Sequence, residues 1–293
     1  MTTVLTDRAA ATAAPASRPA EGSAAGAGVP RWSAGRAWRA VWPGLLATVL
    51  AVVAWEAVHL SGWKPDYVLP SPATVGGELL AFLGEPKFWL ALGNTVTRAL
   101  LGFGLSLVIG TVLGIAVSSS RVLRTAIGSM LTGLQTMPSI AWFPFAILLF
   151  GLSENAILFV VVLGAAPSIA NGLISGIDDV PPPLLRTATV LGARGFDLYR
   201  HVVLPSALPT YVAGLKQGWA FAWRSLMAGE LLVIIASKPS LGVQLQFYRE
   251  FANAPALIAT MIVVLVLGMV FDAVFSRMSD VVRRRRGLGT VRL

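Results

Sequence analysis

Long, nearly uninterrupted apolar runs govern what this chain can fold into. Six can be drawn, at Val41–Leu60, Leu92–Val117, Ile127–Phe150, Asn155–Ile177, Tyr211–Ile235 and Ala256–Phe275. Each is close to the roughly 20 residues a helix needs to cross a hydrocarbon core of about 30 Å. In such a solvent every backbone N–H and C=O must be satisfied within the segment, so runs of this length specify helices. Of the 293 residues, 55% are hydrophobic and only 13% charged, whereas soluble domains run near a quarter charged. The expected fold is therefore an all-α polytopic membrane protein with six transmembrane helices. Pro138 and Pro144 interrupt the third run, and Pro167 lies inside the fourth.

A formal charge of +9, from 23 basic against 14 acidic residues, could serve nucleic acid binding, but its distribution argues for a membrane. Basic residues gather before the first run (Arg31, Arg36, Arg39), at Arg121 and Arg124, and in the tail Arg283–Arg286. This is the positive-inside pattern, and it places both termini in the cytosol. The segments Ser61–Ala91, Gly151–Glu154 and Ala236–Pro255 then face outward. Three regions follow: a disordered cytoplasmic leader over 1–40, a membrane domain over 41–283, and a basic cytoplasmic tail over 284–293. The leader is rich in Ala, Gly, Pro and Ser and lacks the apolar core of a secretory signal. The absence of cysteine excludes disulfide and thiol chemistry.

Catalytic constellations are missing from the sequence. No G-x-x-x-x-G-K-[ST] loop is present, so ATP is not bound by that route. The two histidines, His59 and His201, have no carboxylate cluster around them in sequence, which leaves metal sites and histidine catalysis unsupported. The chain reads as a non-enzyme that holds no cofactor of its own.

Ionisable residues inside spans are costly, and by default they mark pathways or partners. Arg98 falls in the outer part of the second span; Lys216, Arg224 and Glu230 fall along the fifth. At about 100° per residue Lys216 and Glu230 share a direction but sit about four turns apart, and Arg224 is offset from both. One reading is a cavity whose arginines, Arg98 and Arg224, attract an anionic solute while Glu230 gates or orients Arg224. The competing reading is a purely structural Arg224–Glu230 pair. Asn94 and Gln135 are further candidates for a polar route, and Trp142, Trp219 and Trp223 read as packing residues. Small residues four apart, Gly110/Gly114, Gly172/Gly176 and Gly214/Gly218, allow close helix approach, first of all within the chain.

One polar stretch is long for so apolar a chain, Asp178–Pro209, or DDVPPPLLRTATVLGARGFDLYRHVVLPSALP. It predicts two short helices around a glycine. Asp178 and Asp179 are placed to cap the first, and prolines are tolerated in a first turn. Leu184, Leu185, Ala188 and Leu191 form one apolar face. Gly192 supplies the left-handed residue that ends that helix. Phe196, Tyr199 and Val203 lie on the second helix, which Pro205 is expected to end.

These residues resemble the "EAA" signature of bacterial ABC-importer permeases, E-A-A-x3-G-x9-I-x-L-P. Ala188, Gly192, Val202, Leu204 and Pro205 fall on the pattern; Arg186 stands where the family has Glu and Thr187 where it has the first Ala. NTVTRALLGF at Asn94–Phe103, QTMPSIAWFP at Gln135–Pro144 and GWAFAWRSLMAGELL at Gly218–Leu232 are similar to the branch that imports aliphatic sulfonates, taurine and nitrate. The resemblance implies an inner-membrane permease that pairs with a second copy. Two cytosolic ATPases, which carry the ATP and Mg, would dock on the 178–209 loop, and an extracytoplasmic binding protein would deliver the solute. Thiamine precursors and bicarbonate are alternative substrates within the same resemblance. A secondary transporter or channel working without ATP shares the spans but leaves the loop without a task.

Overall fold

The structure is a computed structural model and describes residues 34–285, with side chains from Trp42 onward. The start of the leader and the tail beyond 285 lie outside the described residues. The chain divides into two compact units, Met1–Ala51 and Val52–Leu293. The first contains, among the described residues, most of helix α1 (Ala34–Leu60), which has Pro43 inside it.

The second unit holds the rest. Its helices are α2 (Pro72–Gly84), α3 (Pro86–Ser119), α4 (Arg121–Thr136), α5 (Phe143–Phe150), α6 (Glu154–Asp178), α7 (Pro182–Val190), α8 (Gly195–Leu198), α9 (Leu204–Leu232), α10 (Leu241–Glu250) and α11 (Ala254–Arg285). A 3₁₀ turn, Ser139–Trp142, precedes α5, and a π-helical stretch, Tyr199–Val203, joins α8 to α9. No strand occurs among the described residues.

The six expected spans are not all reproduced as straight apolar helices. Four helices are long and apolar enough to cross a membrane, and a fifth crossing exists if one bent pair is a single span. That pair is the predicted third span: α4 and the Ser139–Phe150 segment meet at 103°. Pro138 has no N–H to give and cannot continue α4, so the run breaks there. The predicted fifth span lies on α9, whose 29 residues extend about 43 Å at 1.5 Å per residue. It falls outside the apolar set, and it carries Lys216, Arg224 and Glu230.

α6 is the central element, packed between α3 and α9. The glycine pairs explain how closely. A Cβ on Gly172 would lie 2.6 Å from the Cα of Gly214, and one on Gly110 would lie 2.6 Å from the carbonyl oxygen of Ala166. Without hydrophobic drive between helices in lipid, this near backbone contact supplies the association. All three glycine pairs are thus spent within the chain. Around them Phe143, Ile157, Val161, Ala165, Trp219 and Leu226 form the main core. A second cluster, with Phe82, Phe88, Leu241 and Ala259, fastens α2 and α10 to the ends of α3 and α11. There Tyr248 is held above its ordinary pKa by burial, with Glu85 and Glu78 adding to the effect.

Candidate functional site

The loop between α6 and α9 follows the sequence in outline and departs from it at both ends. The two aspartates do not cap α7. Asp178 closes α6 and accepts a hydrogen bond from Arg124 at 2.8 Å, while Asp179 is the C-cap of α6. α7 has Pro181 at its N-cap instead, without a side-chain hydrogen bond, and prolines in its first turn. A first-turn proline sacrifices nothing, since those N–H groups have no intrahelical partner.

The other end of α7 is as expected. Gly192 takes φ +92°; its N–H donates to Thr189, and the N–H of Ala193 donates to Ala188, both at 3.0 Å. This is the paired 5→2 and 6→1 closure of a left-handed C-terminus. Pro205 does not end the second helix. The backbone runs from Gly195 through the π-helical stretch into α9 without leaving helical geometry. A π turn placed just before Pro205 takes up the ladder where the missing N–H would leave a gap.

The apolar face drawn from the sequence divides in two. Ala188 and Val203 are buried and Leu185 is half-buried, so these turn toward the protein. Leu191 is 81% exposed, Val190 86% and Phe196 74%, with Leu184 and Tyr199 also exposed. Arg186 and Thr187 stand exposed on α7, Val202 and Pro205 are half-buried, and Leu204 is exposed. Val190 lies outside the apolar face drawn from the sequence, yet it is among the most exposed apolar side chains of the loop.

At the opposite end of α9 the ionisable residues find partners, though not those expected. Glu230 is fully buried and accepts hydrogen bonds from the Arg98 guanidinium at 3.0 Å, the Thr95 hydroxyl at 2.9 Å and the Gly242 N–H at 3.1 Å. Arg98 turns its other nitrogens to Glu154, at 2.7 and 2.9 Å. Glu154 also meets Lys238 at 3.3 Å. Two cations and two carboxylates thus alternate from the interior to the surface. Each buried charge is both paired and hydrogen-bonded, the condition under which such burial is tolerated.

The expected Arg224–Glu230 pair does not form, because Arg98 from α3 already satisfies Glu230 from a neighbouring helix. Asn94 donates to the carbonyl of Pro239 at 2.8 Å and ties down the segment before α10. Glu154, Thr95 and Lys238 went unnoticed in the sequence. The signal was available: Arg98 near the start of one span, Glu154 at the start of another and Glu230 at the end of a third belong at one level.

Arg224 is left apart. It is exposed, has no ion pair among the described residues, and lies with its guanidinium carbon 6.0 Å from the Phe221 ring centre. It lines three cavities. One of about 320 Å³ is bounded by Gln135, Thr136 and Ser139 at the break after α4, with Gly164 and Phe221. Another, of about 270 Å³, is lined by Lys216, Gln217 and Asp272. The largest, about 660 Å³, opens between α9 and α11 beside Trp219, Trp223, Met261, Leu265 and Met269. Lys216, in the 270 Å³ cavity, is neutralised by Asp272 at 3.2 Å, and Asp272 also borders the largest of the three. Gln135 accepts a hydrogen bond from Asn171 at 3.4 Å. Asn94, Arg98 and Glu230 line none of these three cavities.

An all-helical membrane bundle, a long helical loop closed at a left-handed glycine, and a charged helix bordered by cavities define a transport protein of the permease class. Comparison with known proteins agrees. Residues 82–286 match the model of the binding-protein-dependent transport system inner membrane component, and the chain belongs to that family.

A putative ABC transporter permease protein of Methanocaldococcus jannaschii is 31% identical over 76% of this chain and 84% of its own length. The taurine transport system permease protein TauC of Escherichia coli K12 is 28% identical over 76% of this chain and 82% of its own length. The riboflavin transport system permease protein RibX of Chloroflexus aurantiacus is 30% identical over 73% of this chain and 80% of its own. Among solved structures, the inward-facing MetNI methionine ABC transporter superposes with a TM-score of 0.57 at 21% identity, covering 68% of this chain and 98% of that one. A bacterial alginate ABC transporter, solved with its alginate-bound periplasmic protein, gives 0.55 at 15% identity over 87% and 100%.

Proposed function

We propose that this ABC-importer permease subunit moves a small anionic solute, of the sulfonate, taurine or nitrate type, inward past Arg224. The observation that carries the reading is a guanidinium without an ion pair among the described residues, shared by three cavities along α9. An uncompensated charge within a membrane helix is costly unless it meets water, a partner or a ligand. In this reading Gln135, Thr136 and Ser139 present hydrogen-bonding groups at the break after α4, and Arg224 supplies the charge. The neighbouring Lys216 is occupied by Asp272, which leaves the attraction centred on one residue. The taurine and aliphatic-sulfonate permeases among the relatives support a sulfonate-like substrate.

The remaining parts follow the same mechanism. Cytosolic ATPases, on separate chains, would seat the exposed Leu184, Val190, Leu191 and Phe196 in a groove, in the manner of helix-in-groove recognition. Motion of the loop would pass into α9 without a break, since the backbone from Gly195 to Leu232 stays helical. A second copy of the chain would complete the route, and an extracytoplasmic binding protein would load it. Uptake of a radiolabelled alkanesulfonate by the complete complex in proteoliposomes tests the reading. Arg224→Ala is expected to lower uptake at least tenfold at equal incorporation, with Arg224→Lys recovering part of it. Equal uptake by Arg224→Ala and wild type would remove the anion route.

A further inference from the structure

Resting on the transport reading proposed above, we infer that residues 233–240, between α9 and α10, form a lid over Arg98 latched by the Lys238–Glu154 ion pair. The lid closes the bundle at the end opposite the α6–α9 loop. These eight residues form no helix. Their start is held by packing: Val233 is buried, and Ile235 lies against the main core. Their far end is held by the start of α10, where the Leu241 N–H donates to the Thr95 hydroxyl at 3.0 Å and the Gly242 N–H to Glu230 at 3.1 Å. A Cβ on Gly242 would strike the Glu230 side chain, so α10 begins directly against that residue. Between these roots the fastenings are polar. Lys238 reaches Glu154 at 3.3 Å, and the Pro239 carbonyl accepts from Asn94 at 2.8 Å.

The charge chain is graded outward. Side-chain exposure rises from 0% at Glu230 through 6% at Arg98 and 28% at Glu154 to 55% at Lys238. That gradient decides which contact parts first. Breaking a buried ion pair strands a charge without water, which is costly. An exposed pair is weak, and salt screens it further. Lys238 can therefore leave Glu154 while Arg98 keeps Glu230, and residues 236–239 lift between fixed roots. Asn94 lies one turn before Arg98 on α3, so lifting Pro239 uncovers that turn and opens the Arg98 guanidinium to an arriving anion. α10, which follows the lid, contributes Leu245 to the wall of the largest cavity.

The chain contains no cysteine, so an introduced thiol reports alone. Ser240→Cys, at a fully buried position, reads lid opening as its rate of reaction with a charged maleimide on the full-length chain in nanodiscs. Raising salt from about 0.1 M to 1 M shortens the screening length from about 10 Å to 3 Å and is expected to speed labelling at least threefold. Lys238→Gln is expected to speed it at least fivefold at low salt and to remove the salt response, whereas Lys238→Arg keeps the wild-type behaviour. A rate indifferent to salt and to Lys238→Gln overturns the latch, as does a Lys238→Arg variant that behaves like Lys238→Gln. In the complete complex, Leu152→Cys/Ser237→Cys, at exposed positions beside the ion pair, is joined by a reducible bis-methanethiosulfonate. Alkanesulfonate uptake in proteoliposomes is expected to fall at least tenfold on cross-linking and to return on reduction. Full uptake with the lid cross-linked overturns its gating role. Absence of uptake before cross-linking, with labelling still responsive to salt and to Lys238→Gln, overturns the anion route and leaves the lid standing.

Discussion

Arg98 and Arg224 both lie in long helices, yet their surroundings are opposite. Arg98 is closed between Glu230 and Glu154 and joins α3, α6 and α9 where α10 begins. Removing one member of a buried pair strands the other's charge, at about 3–5 kcal/mol. Arg98→Met is accordingly expected to lower the unfolding midpoint of the purified protein sharply. The double variant Arg98→Met/Glu230→Met should recover a good part of that loss, because it strands one carboxylate fewer. A double variant no more stable than the single one would show that the cluster does not act as a charge pair. Arg224 has no such partner among the described residues, so its substitution should be read in transport rather than in stability. Both arginines were visible in the sequence as intramembrane charges, but their roles were not. At offsets of 132 residues between Arg98 and Glu230, no local pattern ranks one partner over another.

Among the elements, the α7–α9 loop is the one most legible in sequence. Its glycine, its first-turn prolines and its two-helix plan are encoded within a few residues, the range over which turn chemistry acts. Gly192 sits at φ +92° with open space around it, so a substitution there is limited by backbone strain and not by crowding. Gly192→Ala should cost about 1–2 kcal/mol, read as faster proteolysis of the loop. Gly192→Pro should abolish uptake while leaving membrane insertion intact; normal uptake by a fully inserted variant would sever the loop from coupling. The outward surface makes a separate prediction. Leu191→Asp/Phe196→Asp is expected to lose copurified ATPase, whereas Arg186→Glu, at a solvated edge where a charge alters affinity little, should retain it. The division of the apolar face escaped the sequence because α7 packs Ala188 against its own protein, and helical period alone does not say which half of a stripe is covered. The break after α4 was marked by Pro138, but its 103° angle depends on what the two halves pack against.

For the whole molecule, the sequence contains no phosphate loop, and the proposed importer would draw its energy from another chain. Isolation of the native complex should therefore yield a separate ATPase in stoichiometric amount, read by mass spectrometry of the intact assembly; its absence under conditions that preserve transport would count against ATP-driven import. Composition, run length and charge asymmetry were enough to determine a helical membrane protein, its long polar loop of short helices and the glycine at the turn of that loop. These are properties of single segments, set by solvent and by local backbone chemistry. Only the tertiary structure decided that Glu230 belongs to Arg98, that the glycine pairs are consumed within one chain, and that Arg224 has no ion pair among the described residues beside the cavities. Those outcomes depend on which helices stand side by side, and burial makes charge pairing exclusive. Once Arg98 had satisfied Glu230, the Arg224 guanidinium was left without an ion pair among the described residues.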